Sequence, residues 1–167
     1  VQDGEAASPG QPQSPPEWIE RPRDPELAAI FIEEAREVLA ALETTLAAGA
    51  SAFEERERAV EVRRGFHTLK GSGRMVGLER FARAAWCVED ALNAWLEHGR
   101  GLAPDLVRLA CEARARSEDW IEAFERNGEA SIDIAKLEAW AECIKREEPL
   151  PEDTDARGRE AQAVREI

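Results

Sequence analysis

Five amphipathic stretches between about residues 25 and 148 restrict the fold of this chain more than any other feature. In each stretch apolar residues recur at steps of three and four, the spacing of one face of an α-helix. The predicted helices cover residues 25–48, 53–76, 78–98, 104–127 and 133–145. The short breaks between them make successive helices antiparallel. The pattern therefore predicts an all-α fold without strands, an up-and-down antiparallel bundle of these five helices.

The first helix has the clearest start. Asp24 is of a type that caps helix N-termini, and Pro25 follows at the first helical position, where a proline costs no hydrogen bond. Gly49 marks the end of this helix. The apolar face predicted for it consists of Leu27, Ile30, Phe31, Ala35, Val38, Leu42 and Leu46. We expect this face to lie against the other helices.

Both ends of the chain differ in composition from the helical region. Residues 1–24 are rich in proline, glycine, glutamine and serine, and only Trp18 and Ile19 among them are expected to dock on a neighbour. Residues 149–167 are mostly charged. The sequence therefore predicts one folded domain, residues 25–148, between a flexible proline-rich linker and a flexible charged linker of a longer chain.

The charge of the chain bears on its partners and location. A net charge of -13 at pH 7 argues against nucleic acids and anionic membranes as partners, because both would be repelled. No apolar stretch approaches the roughly 20 residues that span a bilayer, and the N-terminus lacks the regions of a signal peptide. We expect a cytoplasmic domain, monomeric in isolation, that binds a partner with a basic or apolar face.

Two other residue types are interpreted as packing residues. The three cysteines, Cys87, Cys111 and Cys143, are widely spaced, and we expect all three to be buried thiols of a reducing compartment, with no disulfide and no metal site. The tryptophans of the helical region are interpreted as core residues or a docking surface: Trp86, Trp95, Trp120 and Trp140.

The second predicted helix carries the candidate site residues. One face is apolar and runs through a glycine: Val62, Phe66, Leu69, Gly73 and Val76. The other face carries Arg63, His67, Lys70 and Arg74. Each glycine inside a helix costs roughly 1 kcal/mol relative to alanine, so Gly71 and Gly73 indicate that something approaches the helix closely. On their positions, we expect Gly71 to clear space for a partner and Gly73 to allow close helix packing. A helix cap is the alternative for either glycine.

A histidine on such a face can act as a nucleophile toward a phosphoryl group, because neutral imidazole is available near pH 7. Its other nitrogen must then hold the proton, which a carboxylate or carbonyl should accept. Lys70 is predicted to neutralise the phosphate, and so to matter more for the phosphorylated state than for the free one. Arg63 and Arg74 are candidates for outer charges. The alternative for these cations is a solvated basic stripe paired with glutamates.

The run His67-Thr68-Leu69-Lys70-Gly71-Ser72-Gly73 resembles the His-x-x-Lys-Gly signature of histidine phosphotransfer domains. Its continuation to Gly77-Leu78 is similar to the phosphoacceptor domain of CheA-type chemotaxis kinases, especially the hybrid chemosensory kinases that control twitching motility and type IV pili. Over residues 25–148 the resemblance implies a four-helix bundle plus one additional helix. It also implies that the histidine is phosphorylated by the ATP-binding domain of a histidine kinase. It implies onward transfer to the aspartate of a response-regulator receiver domain.

The resemblance also implies a partner for His67. In the chemotaxis-type members a glutamate on the next helix hydrogen-bonds the active histidine, and Glu89 stands at the matching position. Helix periodicity agrees, because Glu89 directly follows Val88 on the core face of the third predicted helix. An exposed glutamate is the alternative. The second histidine of the family's network is missing here, since Trp86 stands in its place.

The sequence leads to three hypotheses about function. The first is a phosphorelay intermediate that is not an enzyme by itself, needs no cofactor, and belongs to a larger hybrid sensor histidine kinase. The second is a non-catalytic helical interaction module whose histidine is incidental. The third, an independent enzyme with His67 as general base, lacks a second acid, base or nucleophile in a recognisable pattern.

Overall fold

The computed structural model describes residues 18–48, 52–99 and 102–152. Its helices are α1 (Pro25–Ala47), α2 (Ala52–Met75), α3 (Glu79–Glu97), α4 (Pro104–Asn127) and α5 (Ala135–Lys145), and its strands are β1 (Ile19–Glu20) and β2 (Ala130–Ser131). The predicted all-α fold is confirmed. Among the residues described, no helix is long and apolar enough to cross a membrane.

The first four helices close into a bundle around one core. α1 packs against α2 and α4, and α3 completes the ring through its contacts with α2 and α4. α5 is the additional helix and lies against α3 and α4. Phe81 of α3 links α3 to α1 and α4 within this core. Its ring makes edge contacts with the rings of Phe31, Trp120 and Phe124.

The start of α1 is as predicted, but its apolar face is narrower. The Oδ1 atom of Asp24 accepts a hydrogen bond of 2.8 Å from the backbone N–H of Glu26. The prediction that Leu27 and Ile30 lie in the core is wrong, because they are 50% and 65% exposed. Ile30 is rotated by about 100° from the buried Phe31, and Leu27 lies in the first helical turn. The predicted stop at Gly49 lies outside the described residues.

Residues assigned to the N-terminal linker contact the bundle. β1 pairs antiparallel with β2, Ile19 opposite Ser131 and Glu20 opposite Ala130. The carboxylate of Glu20 accepts hydrogen bonds from the backbone N–H groups of Arg80 (2.6 Å) and Phe81 (3.1 Å) in the first turn of α3. This start of α3 has no cap from the side chain of its own N-cap residue. Glu20 therefore caps α3 from a distant part of the chain.

The strand pair corrects the expectation of a fold without strands, since two-residue strands are too short to show an alternating pattern. At the other end, Leu150 is buried and Arg108 donates a hydrogen bond to the carbonyl of Pro151. The rest of the two predicted linkers, residues 1–17 and 153–167, lies outside the described residues.

The packing residues follow the prediction in part. Trp120 and Trp140 are buried, Trp95 is half-buried and Trp86 is on the surface. Of the thiols, Cys87 is buried and Cys143 is half-buried, but Cys111 is exposed, so the prediction of three buried thiols is wrong for Cys111. Burial raises the pKa of the Cys87 thiol to about 11, with a smaller contribution from the charge of Glu138.

Candidate functional site

The two faces of α2 separate as the sequence predicts. The predicted apolar stripe, from Val62 through Gly73 to Val76, is buried. His67 lies on the opposite side, with 66% of its side chain exposed. An imidazole in this position is accessible to a second protein, while the buried stripe holds the helix against the bundle.

Glu89 of α3 lies beside His67. Its Oε1 atom is 2.6 Å from Nδ1 of the imidazole. Glu89 is itself buried, at 8% exposure, and it follows the fully buried Val88. The packing of α3 against α2 therefore places a carboxylate at the edge of the interface, next to an exposed imidazole.

Lys70 completes a three-residue cluster with His67 and Glu89. Its Nζ atom lies 2.6 Å from Oε2 of Glu89, and only 16% of its side chain is exposed. Each carboxylate oxygen of Glu89 thus faces one residue of α2. That Lys70 matters more for the phosphorylated state than for the free one stays a prediction, but this lysine already has a carboxylate partner in the unphosphorylated protein.

The charge state of Glu89 determines which ring nitrogen of His67 carries the proton. Burial raises the pKa of Glu89, but its contacts with Lys70 and His67 lower that pKa more, so it lies below its ordinary value. Near neutral pH Glu89 is a carboxylate and can only accept hydrogen bonds. Nδ1 of His67 must therefore be the donor, which leaves Nε2 with a free lone pair in the neutral imidazole.

A groove of about 350 Å³ runs between α2 and α3 on the N-terminal side of His67. It is lined by Val60, Arg63, Arg64, His67, Glu89 and Asn93. The Nη1 atom of Arg63 donates a hydrogen bond of 3.2 Å to Oδ1 of Asn93. The exposed guanidinium of Arg64 instead pairs with Glu61 at 3.0 Å on its own helix. Arg63 alone of the two reaches across the groove to α3.

Asn93 is not among the residues predicted from the sequence, although its spacing from Glu89 is a usable signal. Asn93 lies four residues after Glu89, so it occupies the same face of α3 one turn later. Arg74, the other predicted outer charge, is exposed at the C-terminal end of α2. Trp86, at the position of the missing family histidine, is 38% exposed.

The two glycines of the motif lie in different environments. A Cβ atom at Gly71 would have no heavy atom within 4 Å outside its own part of the helix. A Cβ atom at Gly73 would come within 2.9 Å of Cδ1 of Phe81, at the start of α3. Gly73 thus permits the close approach of α2 and α3, whereas Gly71 leaves open space one turn after His67.

This arrangement suits nucleophilic transfer at one nitrogen. It supplies an accessible imidazole with an assigned proton, a buried carboxylate that accepts that proton's hydrogen bond, and cations one turn to either side. Within the described ranges, no group of three or more His, Cys, Asp or Glu side chains is placed to hold a metal ion.

Comparison with models of known protein families matches residues 26–148 to the Hpt domain. Neither the curated proteins nor the solved structures contain a significant match to this chain.

Proposed function

Since this chain belongs to the Hpt domain family, whose members carry phosphoryl groups on a histidine in phosphorelays and are not enzymes by themselves, we propose that His67 is its phosphoacceptor. Glu89 orients the imidazole, and Lys70 supports the phosphoryl group with its charge and keeps Glu89 ionised. The observation that carries this proposal is the 2.6 Å contact between Nδ1 of His67 and Oε1 of Glu89.

The accepting step uses the free lone pair on Nε2. This lone pair attacks the γ-phosphorus of ATP held by a kinase domain, an N–P bond forms, and the bond from phosphorus to the bridging oxygen breaks, so that ADP leaves with its electron pair. The ring becomes a cation that keeps its proton on Nδ1. The carboxylate of Glu89 stabilises this cation, because a charge-assisted hydrogen bond is stronger than a neutral one.

The donating step reverses the bonding at Nε2. A carboxylate oxygen of the receiver aspartate attacks phosphorus, the N–P bond breaks, and its electron pair returns to the ring. His67 is then neutral again with the proton still on Nδ1. No proton has to leave or enter the site in either step, which is why a fixed tautomer is useful here.

The proposed partners and parent protein rest on the motif from His67 to Leu78. We propose that the partners are the ATP-binding domain of a CheA-type histidine kinase and a response-regulator receiver, and that the domain is part of a hybrid chemosensory kinase of the kind that controls type IV pili. In this proposal the folded region, residues 25–148 with the segment that contacts it, is a cytoplasmic domain, monomeric in isolation, that binds neither nucleic acid nor membrane.

Phosphorylation with labelled ATP tests the role of His67. The chain is incubated with a chemotaxis-type kinase domain, and the label should be acid-labile and base-stable, as expected for phosphohistidine. His67→Gln should abolish labelling and leave the free energy of unfolding nearly unchanged, since the side chain is largely exposed. His98→Gln is the matched control, because His98 is exposed at the end of α3 with Nδ1 2.7 Å from the carbonyl of Ala94. Labelling of His67→Gln at the wild-type level would overturn His67 as the phosphoacceptor. A wild-type chain that takes up no label would favour the alternative of an interaction module with an incidental histidine.

A further inference from the structure

One guanidinium beside His67 is available for an anion. Arg63 lies one helical turn before His67 and lines the same groove between α2 and α3. Within the part of the chain that the structure describes, its one side-chain partner is the neutral amide of Asn93, and it has no carboxylate partner. The hydrogen bond to Asn93 uses one N–H group of the guanidinium and leaves the others free.

The other cations near His67 are less suited to direct contact. Lys70 is half-buried and paired with Glu89 at 2.6 Å, so much of its charge is already neutralised. Arg64 pairs with Glu61 on the exposed side of α2. Arg74 is seven residues beyond His67, about 10 Å along the helix axis. Arg63 is therefore the cation whose position and free donors best suit an anion at Nε2.

We propose that the phosphoryl group on Nε2 of His67 is bound in the groove between α2 and α3 by the guanidinium of Arg63, with Asn93 as the positioning residue. This inference rests on the proposed function of His67. The planar fork of a guanidinium matches two phosphoryl oxygens, which a lysine ammonium cannot do. Asn93 holds the fork at the α3 side of the groove and reduces the number of rotamers that Arg63 loses on binding the anion.

In this proposal α3 organises both halves of the phosphorylated site. Glu89 holds the imidazole through Nδ1, and Asn93, one turn later, holds the guanidinium. Glu89 stabilises the ring cation, and Arg63, positioned by Asn93, stabilises the phosphoryl dianion.

The proposal is tested by ³¹P NMR on the full chain, phosphorylated with potassium phosphoramidate in the His98→Gln background. Nε2 attacks the phosphorus of this reagent and ammonia leaves, so no kinase is needed. The ³¹P shift of phosphohistidine follows proton loss from the phosphorylated ring and its phosphoryl group. A bound guanidinium lowers the pH of this proton loss, because a nearby positive charge favours the deprotonated form. The midpoint of the ³¹P titration of Arg63→Gln should therefore be higher than that of wild type by at least about 0.5 pH unit.

Arg64→Gln is the matched control, since it removes the same charge from the neighbouring residue, and its midpoint should equal that of wild type. Arg63→Lys should recover part of the shift, and Asn93→Ala should raise the midpoint less than Arg63→Gln. Equal midpoints for Arg63→Gln and Arg64→Gln would overturn the proposal. If Arg63→Gln does not fold, the proposal is overturned when Asn93→Ala and Arg63→Lys both titrate with the wild-type midpoint. Failure of the proposed function gives a different result: the kinase would leave His67 unlabelled, whatever the titration shows.

Discussion

Oε1 of Glu89 lies 2.6 Å from Nδ1 of His67, although the two residues are 22 positions apart on different helices. This distance depends on how closely α2 and α3 pack. At their shared end Gly73 faces Phe81, and a Cβ atom on the glycine would come within 2.9 Å of that ring. The geometry of the candidate site is thus coupled to a small residue on the buried side of the same helix.

Glu89 should contribute to stability in a pH-dependent way. Its pKa in the folded protein is below the ordinary value of 4.5, so the contribution is present above about pH 4.5 and is lost as the pH falls through the folded pKa. We expect Glu89→Gln to lower the free energy of unfolding by about 1–3 kcal/mol at pH 7. Below the folded pKa the difference from wild type should largely vanish, because Glu89 is then protonated in wild type as well.

Urea unfolding of wild type and Glu89→Gln at several pH values measures this difference. Glu97→Gln is the matched control, because Glu97 is an exposed glutamate at the end of the same helix. A stability difference for Glu89→Gln that stays constant across the whole acid range would show that the loss is not due to the carboxylate charge.

Lys70 should affect stability as well as phosphorylation. Lys70→Ala leaves the buried carboxylate of Glu89 without its ammonium partner, which should cost about 1–3 kcal/mol of unfolding free energy. The same change should slow phosphorylation of His67, because it removes positive charge near the incoming phosphoryl group. Thermal unfolding and the rate of label incorporation are the two measurements.

Lys145→Ala provides the comparison for Lys70. Lys145 also pairs with a carboxylate of α3, Asp90, at 2.9 Å, but both side chains are about one-third exposed. Such a pair contributes no more than about 1 kcal/mol. If Lys70→Ala proved no more destabilising than Lys145→Ala, then the ion pair with Glu89 would not be an important part of the folded state.

Much of the fold could be predicted because the apolar stripes repeat at helical spacing over many turns. The stripe of α2 continues through Gly73, so spacing alone predicts that this glycine is a packing residue. The exposure of Ile30 could not be predicted in the same way. Whether one further apolar residue beside a stripe is covered depends on which helix lies next to it, and that is a property of the tertiary arrangement.

Likewise, only part of the candidate site could be predicted from the sequence. The residues of α2 are close in sequence, so their common face follows from spacing alone. Asn93 and the ion pair of Lys70 depend on the rotation of α3 against α2, which periodicity restricts only loosely. The cap that Glu20 provides for α3 joins residues about sixty positions apart, and no local pattern indicates such a contact.

Gly73→Ala should destabilise the bundle. The added methyl group has to displace the ring of Phe81, and inserting a methyl group into a packed core costs about 1–3 kcal/mol. The same substitution at Gly71 meets no neighbour, so helix propensity should stabilise Gly71→Ala by up to roughly 1 kcal/mol. Urea unfolding of both variants gives the comparison. Equal effects of the two substitutions would mean that α2 and α3 are not in close contact at Gly73.

Gly71→Leu should slow phosphoryl transfer without lowering stability. The side chain extends into open space on the exposed side of α2, one turn after His67, so the free energy of unfolding should be unchanged or slightly higher. In the proposed function a receiver domain brings its aspartate to Nε2 of His67 over this surface, and a leucine there should obstruct that approach. We therefore expect normal chemical phosphorylation by phosphoramidate, because this reagent is small, together with slower transfer to a receiver. A stable Gly71→Leu protein that transfers its phosphoryl group at the wild-type rate would show that the open space at Gly71 is not used by the partner.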